Sequence, residues 1–368
     1  MIRFWTLLLA LLLIGCAPRA PELRIGAAPP SILLPTARST VTDGRARYRE
    51  IYCAVRAERG TTLPFDRPCD TGAALRQLPG EGAPTGRPVA LGRSTAGYTV
   101  VFVPGLLAEC LASQSTVFGD ARANLEAQGY RTAYIQTRGR QSSEINAGII
   151  QDAIRAMPAD ARIILVTHSK GTVDSLVALS EYPDLADKVV ALVSVAGAVN
   201  GSPLADMVPN WVAELAESMQ LPQCPQGHGV EAADSLRRAE RLSWLSTHSW
   251  PASMHTYSLV AVAGPEAVSA VLRPFYRMLA GTDPANDGLV IASDAIVPGS
   301  TLLGYANADH LAVAMPFSGL VAATLITQNE YPRAVLLEAA IRYVEEDAGR
   351  EPAANVSSGS VPRRAPAG

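Results

Sequence analysis

An apolar run meets a serine-bearing turn in Arg162-Ile163-Ile164-Leu165-Val166-Thr167-His168-Ser169-Lys170-Gly171, and the helical pattern Thr172–Leu179 follows at once. Strand, sharp turn and helix in this order predict a nucleophile elbow, in which a strained serine projects its hydroxyl above a parallel sheet. The N–H of the next residue, Lys170, then points into the same space at the helix N-terminus. The alternative interpretation is that Ser169 only caps the helix, which serine does well.

The turn departs from the G-x-S-x-G pattern at one position. Thr167 stands where the pattern has a small residue that lets strand and helix approach closely, while Gly171 supplies the second glycine. We expect the side chain of Lys170 to be a solvated first-turn residue, exposed beside the serine. The alternative is that its charge attracts an anionic substrate.

A nucleophilic serine needs a histidine that takes its proton and a carboxylate that orients this histidine. His310 is the best base, because it lies in a polar loop after the last strand candidate, whereas His168 in the elbow points away from Ser169. Asp287 lies in an Asn-Asp-Gly turn that leads into an apolar run, so it is the best orienting carboxylate. The serine, aspartate and histidine then follow one another in the order found in α/β-hydrolases. The fallback carboxylates are Asp283, Asp294 and, less favoured because it adjoins the histidine, Asp309.

An oxyanion hole requires a second backbone N–H from the loop after an earlier strand. The strand pattern Tyr98–Val103 is followed by Pro104-Gly105-Leu106-Leu107, and Gly105 permits a backbone path that a side chain would obstruct. We therefore predict that the N–H groups of Leu106 and Lys170 form the oxyanion hole. The alternative is an ordinary Pro-Gly turn at a strand end.

Several segments together resemble the bacterial triacylglycerol lipases and esterases of the α/β-hydrolase superfamily, and they occur in the order of that family. They are Phe102–Leu106, the elbow at Ser169, Val195–Asp206, Asn286–Val290 and the His310 loop. The resemblance implies an α/β-hydrolase fold, ester hydrolysis, and Ser169, Asp287 and His310 as nucleophile, orienter and base. It departs from the family at Pro104, where those lipases usually carry histidine. Some of them also bind calcium through an aspartate just after the catalytic histidine, but Leu311 stands there, so we expect no metal.

The N-terminus has the features of a bacterial lipoprotein signal. Met1-Ile2-Arg3 precedes an apolar run, Phe4–Ile14, that is too short for a membrane-spanning helix, and the run ends at Leu13-Ile14-Gly15-Cys16. Cleavage would leave Cys16 as an acylated N-terminus, with palmitate among its acyl chains, and several chains would hold the protein on a membrane. We expect a lipid-anchored protein of the bacterial cell envelope, most simply on the outer membrane, facing the periplasm or the cell surface. Uncleaved anchoring and ordinary secretion are the alternatives.

The remaining cysteines, Cys53, Cys69, Cys110 and Cys224, are even in number, which suits disulfide formation in an oxidising compartment. Three pairings are possible. Proximity in sequence favours Cys53 with Cys69, which leaves Cys110 with Cys224. Unpaired buried thiols are the alternative.

The domain plan follows from the alternation of strand and helix patterns between Tyr98 and the end of a C-terminal helix, which predicts an α/β fold with a mostly parallel sheet and helices on both faces. The predicted parts are a signal (1–16), a flexible tether (17–40), an N-terminal extension packed outside the hydrolase (41–96), the α/β-hydrolase domain (97–348) and a disordered tail (349–368). A cap interrupts the alternation at about 207–255. Its large apolar residues, which are expected to form a small core of their own rather than an acyl pocket, are Trp211, Trp244, Trp250 and Met254.

Composition excludes some function classes. The net charge is −3 and no basic stripe occurs, so nucleic acid is not the expected partner. We find no phosphate-binding glycine loop and no metal-spaced His/Cys cluster, so no cofactor is expected. The favoured function is a membrane-anchored serine ester hydrolase acting on an ester or lipid. The alternatives are an acyltransferase on an envelope molecule and a non-catalytic binding lipoprotein, and a wide separation of Ser169 from His310 would favour the latter.

Overall fold

The structure is a computed structural model that describes residues 41–69, 71–111, 114–207 and 229–349. The predicted signal, Cys16, the tether, Trp211, Cys224 and nearly all of the predicted tail lie outside these residues. Within the described part of the chain, no helix is both long and apolar enough to cross a bilayer.

The centre of the fold is a mostly parallel sheet with the strand order β1-β8-β7-β6-β5-β3-β4, to which β2 adds an antiparallel partner for β8. The inner strands are almost completely buried, as expected of strands covered by helices on both faces, and they therefore read as continuous apolar runs. The strand bounds are β1 Thr42–Asp43, β2 Leu75–Arg76, β3 Tyr98–Val103, β4 Arg131–Tyr134, β5 Arg162–His168, β6 Val189–Val195, β7 His255–Ala261 and β8 Thr301–Ala306.

Helices connect these strands and cover the sheet. Their bounds are α1 Arg45–Arg59, α2 Ala108–Leu111, α3 Arg122–Ala127, α4 Ser143–Arg155, α5 Lys170–Glu181, α6 Pro203–Met207, α7 Gly229–Asp234, α8 Arg238–Thr247, α9 Arg273–Ala280, α10 Gly319–Thr324 and α11 Arg333–Ala348. The sequence pattern from Pro265 to Leu279 suggests one helix, but the structure has a 3₁₀ turn at Pro265–Ala267 and a separate α9. The break lies at Val268, whose backbone is extended, with φ of −99° and ψ of 121°. Pro274 then lies in the first turn of α9, a position that suits proline because no helical N–H bond is lost there.

The N-terminal extension is built into the sheet and its core. Tyr48, Ile51, Tyr52 and Val55 on α1 are essentially fully buried, in the same core cluster as residues of α11. The Tyr48 hydroxyl donates a hydrogen bond of 2.9 Å to a backbone carbonyl of α11. Strand β1 also lengthens the sheet beside β8. The extension is thus integrated more closely than an outer layer packed on a finished hydrolase.

Two of the aromatic and sulfur-bearing residues assigned to the cap belong to the main core instead. Trp250 and Met254 are each 5% exposed and pack in the cluster that contains Val101 of β3 and Leu165 of β5. Trp244, on α8, is partly buried against the same cluster. The expectation that they form a separate cap core is therefore wrong, because the chain returns to the sheet at β7 immediately after Met254.

The structure describes three of the four cysteines in the disulfide prediction. Cys53 and Cys69 form a disulfide with a Cα–Cα distance of 5.6 Å, which ties α1 to the loop that follows it. Cys110 is also disulfide-bonded. Its predicted partner, Cys224, lies outside the described residues.

Candidate active site

Ser169 occupies the turn between β5 and α5 and has a strained backbone. Its φ of 55° and ψ of −128° are unusual for a residue with a side chain, and the strain costs on the order of 1–3 kcal/mol. The end of β6 and the loop after it hold the turn there, since the Ser169 N–H donates to Val195 O of β6 and the Ser169 carbonyl accepts from the N–H of Ala198 in that loop. The predicted elbow geometry is present, and its side chain lies at the carboxyl edge of the sheet.

His310 reaches this serine from the loop that follows β8. Its Nε2 lies 2.8 Å from Ser169 Oγ, and its Nδ1 lies 2.7 Å from Asp287 Oδ2. Because the carboxylate only accepts, the proton is on Nδ1, and Nε2 is left to accept the serine hydroxyl proton. The three predicted residues therefore form one hydrogen-bonded series, and the wide separation that would favour a non-catalytic module is not found.

Asp287 is held by the turn that the sequence indicates. Its Oδ1 accepts from the N–H of Leu289 at 2.9 Å and of Val290 at 2.7 Å, which leaves Oδ2 for His310. The Asp287 carbonyl also accepts from the N–H of His310 at 2.9 Å. Two neighbouring amides thus fix the carboxylate, and two bonds connect it to the base loop.

None of the fallback carboxylates contacts the imidazole of His310. Asp283 accepts from the N–H of Ala285 inside its own turn. Asp294 pairs with Arg238 of α8 at 2.9 Å, and burial raises its pKa to about 6 in spite of this cation. Asp309 is fully buried and accepts from three backbone amides, those of Ser269, Leu311 and Ala312. Burial also raises the pKa of Asp309, and its role is to hold the turn that follows His310.

The predicted oxyanion site lies beside the elbow because β3 and β5 are parallel neighbours in which Val103 pairs with Thr167. A methyl group on Gly105 would lie 2.7 Å from Ser169 Cβ and 3.2 Å from Lys170 N, so the loop backbone passes directly over the turn. Neither Leu106 N–H nor Lys170 N–H donates a hydrogen bond to the rest of the described chain. Both amides are therefore left without an internal partner at the position proposed for an oxyanion.

The departure at Thr167 is accommodated by hydrogen bonding. Its buried hydroxyl lies 2.8 Å from the hydroxyl of Thr172, which in turn lies 3.2 Å from that of Ser194. Close approach is provided instead by Gly171, since a methyl group there would collide with the carbonyl oxygens of Val103 and Pro104. The elbow therefore needs a small residue on its helix side, while its strand side tolerates threonine.

The side chain of Lys170 is buried, which contradicts the expectation of a solvated residue. Its Nζ lies 2.7 Å from Asp174 Oδ1, with both side chains at most 1% exposed. Asp174 also accepts from Ser143 Oγ at 2.7 Å and Asn146 Nδ2 at 2.8 Å, both on α4. The ammonium group therefore turns away from the substrate space and joins α5 to α4.

His168 has a role that sequence reasoning missed. Its Nε2 lies 2.9 Å from the carbonyl oxygen of His310, and the two rings are 4.9 Å apart. Burial, aided by the proximity of His310, lowers the pKa of His168 to about 3. The only signal in the sequence is its position next to the nucleophile.

This fold and site define a class. A mostly parallel sheet with a strained serine after its central strand, and the order serine, aspartate, histidine along the chain, is the α/β-hydrolase fold.

Comparison with solved structures identifies the family within this class. The metagenomic carboxyl esterase MGS0156 is 54% identical to this chain, with a TM-score of 0.83, and the match covers 87% of this chain and 97% of that one. The chain belongs to the family of this carboxyl esterase.

Further matches are more distant. Bacillus licheniformis lipase BlEst2 in its mature form is 24% identical, with a TM-score of 0.47, over 61% of this chain and 89% of that one. Lipase 1 from Pelosinus fermentans is 12% identical, with a TM-score of 0.46, over 67% of this chain and 98% of that one. No profile of a protein family matches the sequence, and no curated protein matches it.

Proposed function

We propose that this protein is a serine carboxylic-ester hydrolase that works through an acyl-enzyme. The observation that carries the proposal is the hydrogen-bonded series from Ser169 Oγ through His310 to Asp287, with distances of 2.8 Å and 2.7 Å. Membership of a carboxyl esterase family supports the same reaction.

The first half of the proposed reaction forms the acyl-enzyme. Ser169 Oγ attacks the ester carbonyl carbon while His310 Nε2 takes the hydroxyl proton, and Asp287 stabilises the imidazolium that results. The developing oxyanion accepts hydrogen bonds from the N–H groups of Leu106 and Lys170. Collapse of the tetrahedral intermediate breaks the bond to the alkoxy oxygen, which leaves as an alcohol after receiving the proton from His310.

The second half removes the acyl group. Water attacks the acyl carbon of the Ser169 ester while His310 accepts one of its protons, and the serine oxygen then leaves with that proton. The products are a carboxylic acid and the restored enzyme. No further group is required to balance the reaction.

The surroundings of the serine favour an uncharged ester. Leu106 and Leu107, on the predicted oxyanion loop, are each 40% exposed and offer apolar surface beside the site. The nearest lysine ammonium, that of Lys170, is paired internally with Asp174 and is not available to an anionic substrate. We therefore propose esters with apolar acyl or alcohol groups as the substrate class.

Hydrolysis of a p-nitrophenyl ester series from short to long acyl chains tests the proposal. We expect the wild type to release nitrophenol and free acid, and to be labelled by a fluorophosphonate. Ser169→Ala should not be labelled, and its kcat should be lower by at least about 10⁴-fold. Ser243→Ala, which changes an exposed serine on α8, is the matched control and should keep both. A folded wild type that neither hydrolyses the esters nor reacts with the probe would overturn the proposal, as would labelling that persists in Ser169→Ala.

We also propose that the mature protein is anchored in the bacterial envelope through lipid on Cys16. The support is the sequence alone, namely the charged start, the short apolar run and Cys16 at its end. Metabolic labelling with an alkyne fatty acid should mark the wild type in the membrane fraction, and Cys16→Ala should be unlabelled. Equal labelling of both proteins would contradict lipidation at Cys16.

A further inference from the structure

The backbone of the predicted base is held on both of its sides. Its N–H donates to the carbonyl of Asp287 at 2.9 Å, and its carbonyl oxygen lies 2.9 Å from Nε2 of His168. The first bond connects His310 to the orienting carboxylate. The second connects it to β5, the strand that ends at His168 and leads directly into Ser169.

The groups in the bond between His168 and the His310 carbonyl determine which of them donates. A backbone carbonyl only accepts, so Nε2 of His168 carries the proton and donates it to this bond. The ring is buried, with 3% of its surface exposed, and it stays neutral because burial lowers its pKa to about 3. A neutral neighbour also places no positive charge 4.9 Å from the ring of His310, which must become positively charged during the proposed reaction.

If His168 only filled space in the core, it would not need this hydrogen bond. An apolar ring of the same size would occupy the volume of His168, but it would leave the carbonyl of His310 without this donor in a buried site. The turn after His310 is fixed separately by Asp309, which accepts from the amides of Leu311 and Ala312. His168 therefore supplies the direct bond from the nucleophile strand to the base residue.

We propose that His168 is a positioning residue, whose Nε2–H holds the backbone of His310 so that the imidazole stays aligned with Ser169. Through this bond, one strand end places both the nucleophile and the base. The kinetic part of this inference rests on the proposed esterase function, but the geometric part does not.

The kinetic test compares two substitutions at this position. His168→Phe keeps an aromatic ring, somewhat larger than imidazole, and removes the donor, whereas His168→Gln keeps a side-chain N–H donor. We expect His168→Phe to lower kcat for a short-chain p-nitrophenyl ester by about 10- to 100-fold with little change in KM, because a misplaced base slows the chemical step. His168→Gln should recover most of kcat. Wild-type kcat in His168→Phe, or an equal loss in both variants, would overturn the inference.

A double-mutant cycle separates positioning of the base from general damage. In a His310→Ala background, His168→Phe should cause no further loss of residual activity, because the residue it positions is already absent. A loss as large as in the wild-type background would show a role unrelated to the base.

A spectroscopic test needs no turnover. The proton on His310 Nδ1, bonded to Asp287, should give a low-field NMR resonance that is absent in His310→Ala. We expect this resonance to be retained in His168→Gln and shifted or broadened in His168→Phe, while an unchanged resonance in His168→Phe would contradict the inference. An inactive wild type that shows this pattern would overturn the proposed function and leave the positioning role intact.

Discussion

The ammonium group of Lys170 lies 2.7 Å from the carboxylate of Asp174, and both side chains are almost inaccessible to solvent. This lysine directly follows the proposed nucleophile, so its backbone N–H faces the substrate space while its side chain extends the other way. The spacing of four residues places the pair on one face of α5. Two polar groups of α4, from Ser143 and Asn146, complete the coordination of the carboxylate. The elbow helix is thus fastened to its neighbour by a buried polar cluster.

Breaking this ion pair should cost much more stability than breaking an exposed one. We expect Lys170→Met to lower the free energy of unfolding by about 3–5 kcal/mol, because it leaves the Asp174 carboxylate buried without its cation. Arg155→Ala is the control, since Arg155 and Asp184 pair with about half of each side chain exposed, and its effect should be about 1 kcal/mol or less. Urea denaturation of the wild type and the two variants measures both losses of stability. Equal losses would show that the Lys170 pair is effectively solvated.

Because Asp287 orients His310, we predict that its substitution lowers kcat and that substitution of the neighbouring carboxylates does not. Asp287→Asn should lower kcat by about 10⁴-fold, because an amide in that place favours the wrong tautomer of His310. The controls Asp283→Asn and Asp294→Asn should leave kcat close to that of the wild type, since neither side chain contacts His310. Steady-state kinetics on one p-nitrophenyl ester gives kcat for all three variants. A larger loss in either control would move the orienting role to that residue.

Gly105 should be intolerant of even the smallest side chain. A methyl group there would lie 2.7 Å from Ser169 Cβ and 3.2 Å from Lys170 N, in the space assigned to the oxyanion. We expect Gly105→Ala to lower kcat/KM by about 10²–10³-fold, comparable with the loss of an oxyanion donor. Gly92→Ala is the control, because a methyl group at Gly92 meets no atom within 4 Å. Wild-type kinetics in Gly105→Ala would place the oxyanion elsewhere.

The buried neutral His168 makes the fold sensitive to acid. Its pKa is about 3 in the folded protein, against 6.5 as its ordinary value. Between these values the unfolded chain binds the proton and the native protein does not, so the free energy of unfolding decreases as the pH falls below about 6.5. From pH 7 to pH 5 the decrease from this residue should be about 2 kcal/mol.

His168→Gln provides the comparison, because glutamine does not titrate and other groups contribute equally to both proteins. Urea denaturation at pH 7, 6 and 5 should show the wild type losing this stability relative to the variant. Parallel pH dependence in the two proteins would mean that His168 titrates in the native state as it does in the unfolded chain.

Local patterns were enough for much of the fold and of the proposed site. The apolar run before Ser169 and the helical pattern after it occur within a few residues, so the strand, turn and helix could be predicted without knowing their neighbours. Asp287 and His310 could be proposed because parallel strands bring their following loops to one edge of the sheet. The Cys53–Cys69 pair followed from proximity in sequence.

Burial of individual side chains was harder to predict, because it depends on segments far away along the chain. The spacing of Lys170 and Asp174 was an available signal for an ion pair, but the cover provided by Ser143 and Asn146 of α4 was not. The single helix suggested from Pro265 is wrong because the backbone is extended at Val268, which the helical periodicity of the segment does not reveal. Trp250 was assigned to a cap because the sequence does not show which face of the sheet its segment covers.

By itself, the sequence determined the α/β architecture, the strand–turn–helix unit at Ser169 and the order of the three proposed catalytic residues, since each depends on local periodicity, turn chemistry or position along the chain. Only the tertiary structure decided which carboxylate faces His310, that Lys170 points inward and that His168 donates to the base residue. Those contacts join residues up to 142 positions apart. Their distances are set by how the strands and helices pack together, and no local pattern encodes that packing.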